Sequence, residues 1–207
     1  MRAANIFSRA LPLAFLFVSS VMGCNSTLSY YTTTDGATYA YTYTPAQGSN
    51  ATYLLLHGYP SSHKDWEAQI TTLNAAGYGT LAPDMLGFGA SDKPTDPEAY
   101  RAVRLGNHLI ELLDHEGVGN AIAVGHDWGA VVMSRLIIYH RERFDKIAFL
   151  DVGYQVPTGF VDIDAFNTLG LHQWGYMPYG YWYFFDRYDA STVIGEHVSR
   201  RPSKRRC

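Results

Sequence analysis

The chain has 207 residues, enough for one domain with a substantial buried core. It is 47% hydrophobic and 17% charged, an ordinary globular make-up. A formal net charge of -3 gives no hint of a nucleic-acid or anionic-membrane partner. Aromatic content reaches 14%, with 16 tyrosines, which suits either an aromatic-lined pocket or tyrosines at the boundary between core and surface.

The N-terminus reads as a targeting segment. Arg2 and Arg9 form a basic stretch around an apolar run over 10–22, and Gly23 follows as a small residue suited to cleavage. The run falls short of the roughly 20 apolar residues that cross a bilayer. We expect a signal peptide over 1–23 and a secreted or secretory-pathway protein; an uncleaved signal that anchors the chain to a membrane is the alternative. In a bacterium, Val21-Met22-Gly23-Cys24 would loosely resemble a lipoprotein cleavage site. Cys24 and Cys207 lie at opposite ends and suggest neither a metal site nor a disulfide. Asn25-Ser26-Thr27 and Asn50-Ala51-Thr52 are glycosylation sequons, which matter only in a secreted eukaryotic protein.

Beyond Asn25, strand-like and helix-like segments alternate. Residues 38–44 alternate Tyr and Thr with small residues and predict a strand, closed by the turn cluster 45–49. The apolar run 52–56 predicts a second strand ending in His57-Gly58-Tyr59-Pro60. A helix over 66–76 stops at Gly77, and a buried strand over 78–82 ends at Pro83-Asp84. After a loop over 87–97, a helix is expected from about 100 to 116, with Val103, Leu105, Leu109, Leu112 and Leu113 on its apolar face. A strand over 121–124, a helix over 129–140 and a strand over 146–150 complete the series. Such an order implies an α/β fold with a mainly parallel sheet and helices on both faces. From 154 to 188 the chain is crowded with aromatics and broken by glycine and proline, with no further core strand evident.

Gly125-His126-Asp127-Trp128-Gly129 sits between a strand and a helix, the context of a nucleophile elbow. Glycines two before and two after the central residue permit a sharp turn that pushes its side chain into a cleft. Here that residue is Asp127. A carboxylate, with an ordinary pKa of about 3.9, needs no base to be nucleophilic near neutral pH. It attacks saturated carbon to form an ester. The competing reading makes Asp127 a helix N-cap.

Three segments together carry a resemblance: His57-Gly58-Tyr59-Pro60, the stretch from Asp84 to Pro94 and Gly125-His126-Asp127-Trp128-Gly129-Ala130. They resemble, in order, the signatures of epoxide hydrolases of the α/β-hydrolase superfamily, from about Tyr53 to His197. Haloalkane dehalogenases share the aspartate elbow and its tryptophan, but typically carry Asn or an acidic residue where this chain has Tyr59. The resemblance implies Asp127 as nucleophile and the Tyr59 and Trp128 N–H groups as an oxyanion hole. It also implies a cap tyrosine that protonates the epoxide oxygen. Tyr181 matches best, with neighbouring tyrosines as alternatives. The substrate implied is a small apolar epoxide. The chemistry calls for no cofactor and no metal.

On that resemblance the chain divides into a leader (1–23), the N-terminal part of the hydrolase core (24–152), a partial cap (153–198) and a basic tail (199–207). The catalytic histidine of the family is expected in core strands that follow the cap, and these residues do not contain it. His140, His172 and His197 follow the nucleophile, but none follows a strand at the cleft. Asp151, directly after a strand, is a minor candidate for the triad acid and otherwise an ordinary loop residue. We expect ester formation without efficient release, and marginal stability from an uncovered sheet edge. A haloalkane dehalogenase and a non-catalytic hydrolase-fold binding protein are the alternatives. The sequence assigns no oligomeric state.

Overall fold

The computed structural model describes residues 27–157 and 162–199. The leader, Cys24, Cys207 and the basic tail beyond Ser199 lie outside the described residues, as does all but Thr27 of the first sequon. Two compact units are present, divided between Gln155 and Val156.

The first unit holds a six-stranded sheet in the order β1-β2-β4-β3-β5-β6. β1 (Ser29–Thr32), β2 (Thr38–Thr44) and β4 (Gly79–Pro83) pair antiparallel in succession. β3 (Thr52–Leu56) lies parallel between β4 and β5 (Ala121–His126), and β6 (Phe144–Leu150) runs parallel beside β5. The sheet is thus mixed and mostly parallel, as the alternation of elements predicted. β1 was not legible in the sequence. Its residues, Ser-Tyr-Tyr-Thr, are largely exposed and lack a buried face; it exists by pairing with β2 across a turn in which Thr33 N–H donates to the Ala37 carbonyl.

Alternation along β3 assigns the two faces. Leu54 and Leu56 join a core with Leu81, Ala121 and Ala123 that is capped by α2 (Ala102–His115) and α3 (Trp128–Tyr139). Leu55 points the other way, into a smaller cluster with Trp66, Ala82 and Ile70 of α1 (Glu67–Ala75). Period-two alternation in a strand between two helical layers requires apolar residues on both faces, and the unbroken Leu54-Leu55-Leu56 run provides them.

Within α2, Leu105, Leu109, Leu112 and Leu113 are buried as their spacing predicts. Val103 departs from the expectation and is 40% exposed. His108 occupies the buried face as well, because its polar atoms are met: Nδ1 faces the Tyr39 hydroxyl at 3.1 Å and Nε2 faces Asp35 Oδ2 at 2.9 Å. Arg104 Nε donates to the same Asp35 oxygen at 2.6 Å. Hydrogen bonds from the Thr33 hydroxyl and then from His108 outweigh the cost of burial and hold the Asp35 carboxyl well below the usual range. This cluster fastens the β1–β2 hairpin to α2.

The second unit contains α4 (Ile163–Trp174), α5 (Gly180–Phe185) and α6 (Ala190–Ser199), and no strand among its described residues. Asp162 caps α4 by accepting from the Ala165 N–H at 3.0 Å, and Gly175, at φ 78°, ends it in the left-handed conformation. Among the described residues, no helix is long and apolar enough to cross a membrane.

Candidate active site

β3 leads into α1 on one face of the sheet, whereas its neighbour β5 leads into α3 on the other. The chain segments leaving these two strands therefore part, and open α/β sheets bind ligands in the crevice left at such a switch point. His57, Gly58 and Tyr59 leave β3 there, and Asp127 leaves β5.

Asp127 sits on the elbow with φ 52° and ψ -122°. This backbone conformation suits glycine and strains a residue with a Cβ. The flanking glycines are required by contact. A Cβ on Gly125 would lie 2.9 Å from the Ala130 backbone, and one on Gly129 would lie 2.3 Å from the Leu56 carbonyl oxygen. Asp127 occupies the N-cap position of α3, but its side chain makes no capping hydrogen bond. The carboxylate instead turns across the crevice, where Oδ1 accepts the Tyr59 N–H at 2.7 Å. Gly58 makes this approach possible, since a Cβ there would stand 2.2 Å from that oxygen. Trp128, directly after Asp127, opens α3 and is 43% exposed, and Tyr59 is 41% exposed. The Tyr59–Pro60 bond is cis.

A buried polar frame behind this loop escaped the sequence reading. Asp84, at the exit of β4, is 1% exposed. Its Oδ1 accepts from the His63 N–H at 2.9 Å and faces His63 Nδ1 at 2.7 Å, and its Oδ2 accepts from the Ala90 N–H at 2.8 Å. Gly89, at φ 50°, leaves room for the carboxylate, which a Cβ would approach to 1.9 Å. The available signal was Asp84-Met85-Leu86-Gly87-Phe88-Gly89 itself: an aspartate followed five residues later by glycine in a turn-rich loop.

Burial alone would push the Asp84 carboxyl up, but hydrogen bonds from Ala90 and His63 overcome it and lower it from the ordinary 3.8. Burial pushes the His57 imidazole below the ordinary 6.5. Both groups therefore bind protons more weakly when folded. The stability from His57 is complete above pH 6.5 and is lost as pH falls through its lower folded value; that from Asp84 is complete above 3.8 and is lost in the same sense below it. Urea melts from pH 7 to pH 3 should show unfolding free energy falling once pH drops below about 6.5 and again below about 3.8, with Asp84→Asn flattening the acid limb. An unchanged acid limb in that variant would remove Asp84 from the account.

Asp151 follows β6 as Asp127 follows β5, and the register pairs His126 with Leu150. Among the described residues these two aspartates are the non-glycine positions with positive φ, 52° and 68°. Val152 N–H donates to the Leu150 carbonyl at 2.8 Å, closing a tight, strained turn around Asp151. Tyr181 belongs to the second unit, on α5, with its ring 5.7 Å from Phe185 and 6.4 Å from both Tyr179 and Trp182. His140 closes α3 and its Nε2 faces Asn107 Oδ1 at 2.9 Å; His172 lies on α4 and His197 within α6. Among the described residues no histidine hydrogen-bonds Asp127. No group of three or more histidine, cysteine or acidic residues able to hold a metal occurs among them either.

Residues 53–201 match a family described as alpha/beta hydrolase fold. Epoxide hydrolase A of Mycobacterium tuberculosis is 44% identical over 99 residues, which are 48% of this chain and 31% of that protein. Epoxide hydrolase 3 of Siraitia grosvenorii is 34% identical over 107 residues, 52% of this chain and 34% of that one. Among solved structures, epoxide hydrolase VrEH1 from Vigna radiata superposes with a TM-score of 0.68 at 27% identity, covering 83% of this chain and 54% of that chain. Epoxide Hydrolase A from Mycobacterium thermoresistibile gives 0.60 at 34% identity, covering 69% and 45%. The chain spans about a third of the length of these curated relatives.

Proposed function

Because the chain belongs to the alpha/beta hydrolase fold family, we propose that its crevice opens small apolar epoxides, with Asp127 as the nucleophile. The observation that carries this reading is the 2.7 Å hydrogen bond from the Tyr59 N–H to Asp127 Oδ1. It engages one carboxylate oxygen and leaves Oδ2 to attack. As the bond from Oδ2 to a ring carbon forms, the ring C–O bond breaks and its electron pair goes to oxygen. That oxygen takes a proton from a phenol, a role the resemblance gives to Tyr181. The product is an alkyl ester whose carbonyl oxygen is Oδ1.

Release requires water to attack the ester carbon, placing negative charge on Oδ1. The Tyr59 N–H already points there, and the resemblance adds the Trp128 N–H. Expulsion of the diol restores the Asp127 carboxylate. Release also requires a base to deprotonate that water. Asp151, which follows β6 as Asp127 follows β5 and has φ 68°, is a minor candidate for the acid that would orient such a base.

Incubating the protein with styrene oxide and, separately, with a bromoalkane tests the reading. A single adduct mapped to Asp127 after epoxide treatment is the expected result. Bromide release with no epoxide adduct would replace it with dehalogenase chemistry, and a folded sample inert to both would favour a binding role.

A further inference from the structure

We infer that His57 is a positioning residue: its imidazole fixes the plane of the Gly58–Tyr59 peptide and thereby aims the Tyr59 N–H at Asp127. This rests on the reading of Asp127 as nucleophile and identifies what holds its oxyanion donor in place.

The protonation pattern of the ring follows from its partners. Nε2 lies 2.9 Å from the Met85 backbone nitrogen, which can only donate, so Nε2 is the acceptor and the proton sits on Nδ1. Nδ1–H then donates to the Gly58 carbonyl at 2.9 Å. That carbonyl and the Tyr59 N–H belong to one planar peptide group and point in opposite directions. His57 thus holds one end of a peptide whose other end donates to Asp127 Oδ1 at 2.7 Å.

Gly58 explains why a clamp is needed. A side chain there would collide with Asp127, so the position is confined to glycine, whose backbone is the least restrained of any residue. Rotation of the peptide would replace the N–H facing the carboxylate with a carbonyl oxygen, turning a stabilising dipole into a repulsive one. The ring resists this because it is itself immobile: 1% exposed, edge-on to Phe88 at 5.4 Å, and tied to Met85. Burial pushes its pKa below the ordinary 6.5, against the opposing hydrogen bond to Gly58 and the pull of Asp84 and Asp65. A protonated ring would lose the acceptor that Met85 uses.

Two substitutions separate positioning from packing. In His57→Asn the carboxamide nitrogen reaches the place of Nδ1 and can still donate to Gly58. In His57→Gln the carboxamide oxygen reaches the place of Nε2 and can still accept from Met85, but the hold on Gly58 is lost. Amide hydrogen exchange at Tyr59 should rise at least about tenfold in His57→Gln, relative to neighbouring core amides, and stay near the parent value in His57→Asn. Decay of the Asp127 ester, followed by intact mass, should slow about 10²-fold in His57→Gln and be largely rescued in His57→Asn. Unchanged Tyr59 exchange in His57→Gln, or an equal increase in both variants, would overturn the inference. Failure of the parent to form an ester would overturn the nucleophile reading alone, since the exchange measurement decides the role of His57 without it.

Discussion

Replacing Asp127 with asparagine is expected to abolish the covalent adduct formed with styrene oxide while leaving the fold intact. The two consequences separate because asparagine keeps the shape of the side chain and an Oδ1 able to accept the Tyr59 N–H, now 2.7 Å from the carboxylate. The substitution removes only the negative charge, and a neutral carboxamide is a far poorer nucleophile toward saturated carbon. The alkylation rate should fall by about 10⁴-fold or more, the scale on which enzymes respond to loss of an essential nucleophile. Stability should change by no more than about 0.5 kcal/mol, as for a substitution that opens no cavity and strands no buried group. Free thiols also open epoxides, so Cys24 and Cys207 should be blocked with iodoacetamide beforehand and the adduct located by peptide mapping. Equal adduct yield in the parent and in Asp127→Asn would place the nucleophile elsewhere.

The sequence revealed those parts of the molecule in which local pattern and tertiary demand coincide. The boundaries of β2 and β3 were readable because apolar or β-favouring runs end at turn formers on both sides. The elbow was readable because close approach of backbones leaves glycine as the residue tolerated at 125 and 129. β1 was not, since an edge strand in a hairpin is defined by its partner and buries little itself. His108, to which the pattern gave no place, is buried on α2 while Val103 is not, because burial follows available partners as well as periodicity: Tyr39 and Asp35 satisfy the imidazole, and no pattern of letters announces that. The same limit hid the Asp84–His63 pair. Its members are 21 positions apart, in loops leaving different strands, and only the fold brings them together.

Substituting alanine for Gly129 should destabilise the first unit more than any other single methyl addition on the elbow. The added Cβ would fall 2.3 Å from the Leu56 carbonyl oxygen, 2.6 Å from its carbon and 2.7 Å from the His57 carbonyl oxygen. All three are backbone atoms of the β3 exit, so no side chain can rotate away and α3 must retreat from the sheet. Overpacking of this kind costs about 3 kcal/mol at the upper end of its usual range. For a chain of this size, that corresponds to a fall of roughly 6–12 °C in the midpoint of a circular-dichroism melt. Gly125→Ala, with its nearest contacts at 2.9 Å, should cost less. Gly119→Ala, with nothing within 4 Å of its Cβ, provides the control and should stay within about 0.5 kcal/mol of the parent. Parent-like melting of Gly129→Ala would mean that the strand and helix are not held at this separation. The expected damage also reaches the chemistry, because the segment being displaced carries His57, Gly58 and Tyr59. A partly folded Gly129→Ala protein should therefore lose epoxide alkylation faster than it loses helical signal, since a shift of under an ångström leaves α3 helical yet breaks the 2.7 Å contact between Tyr59 and Asp127.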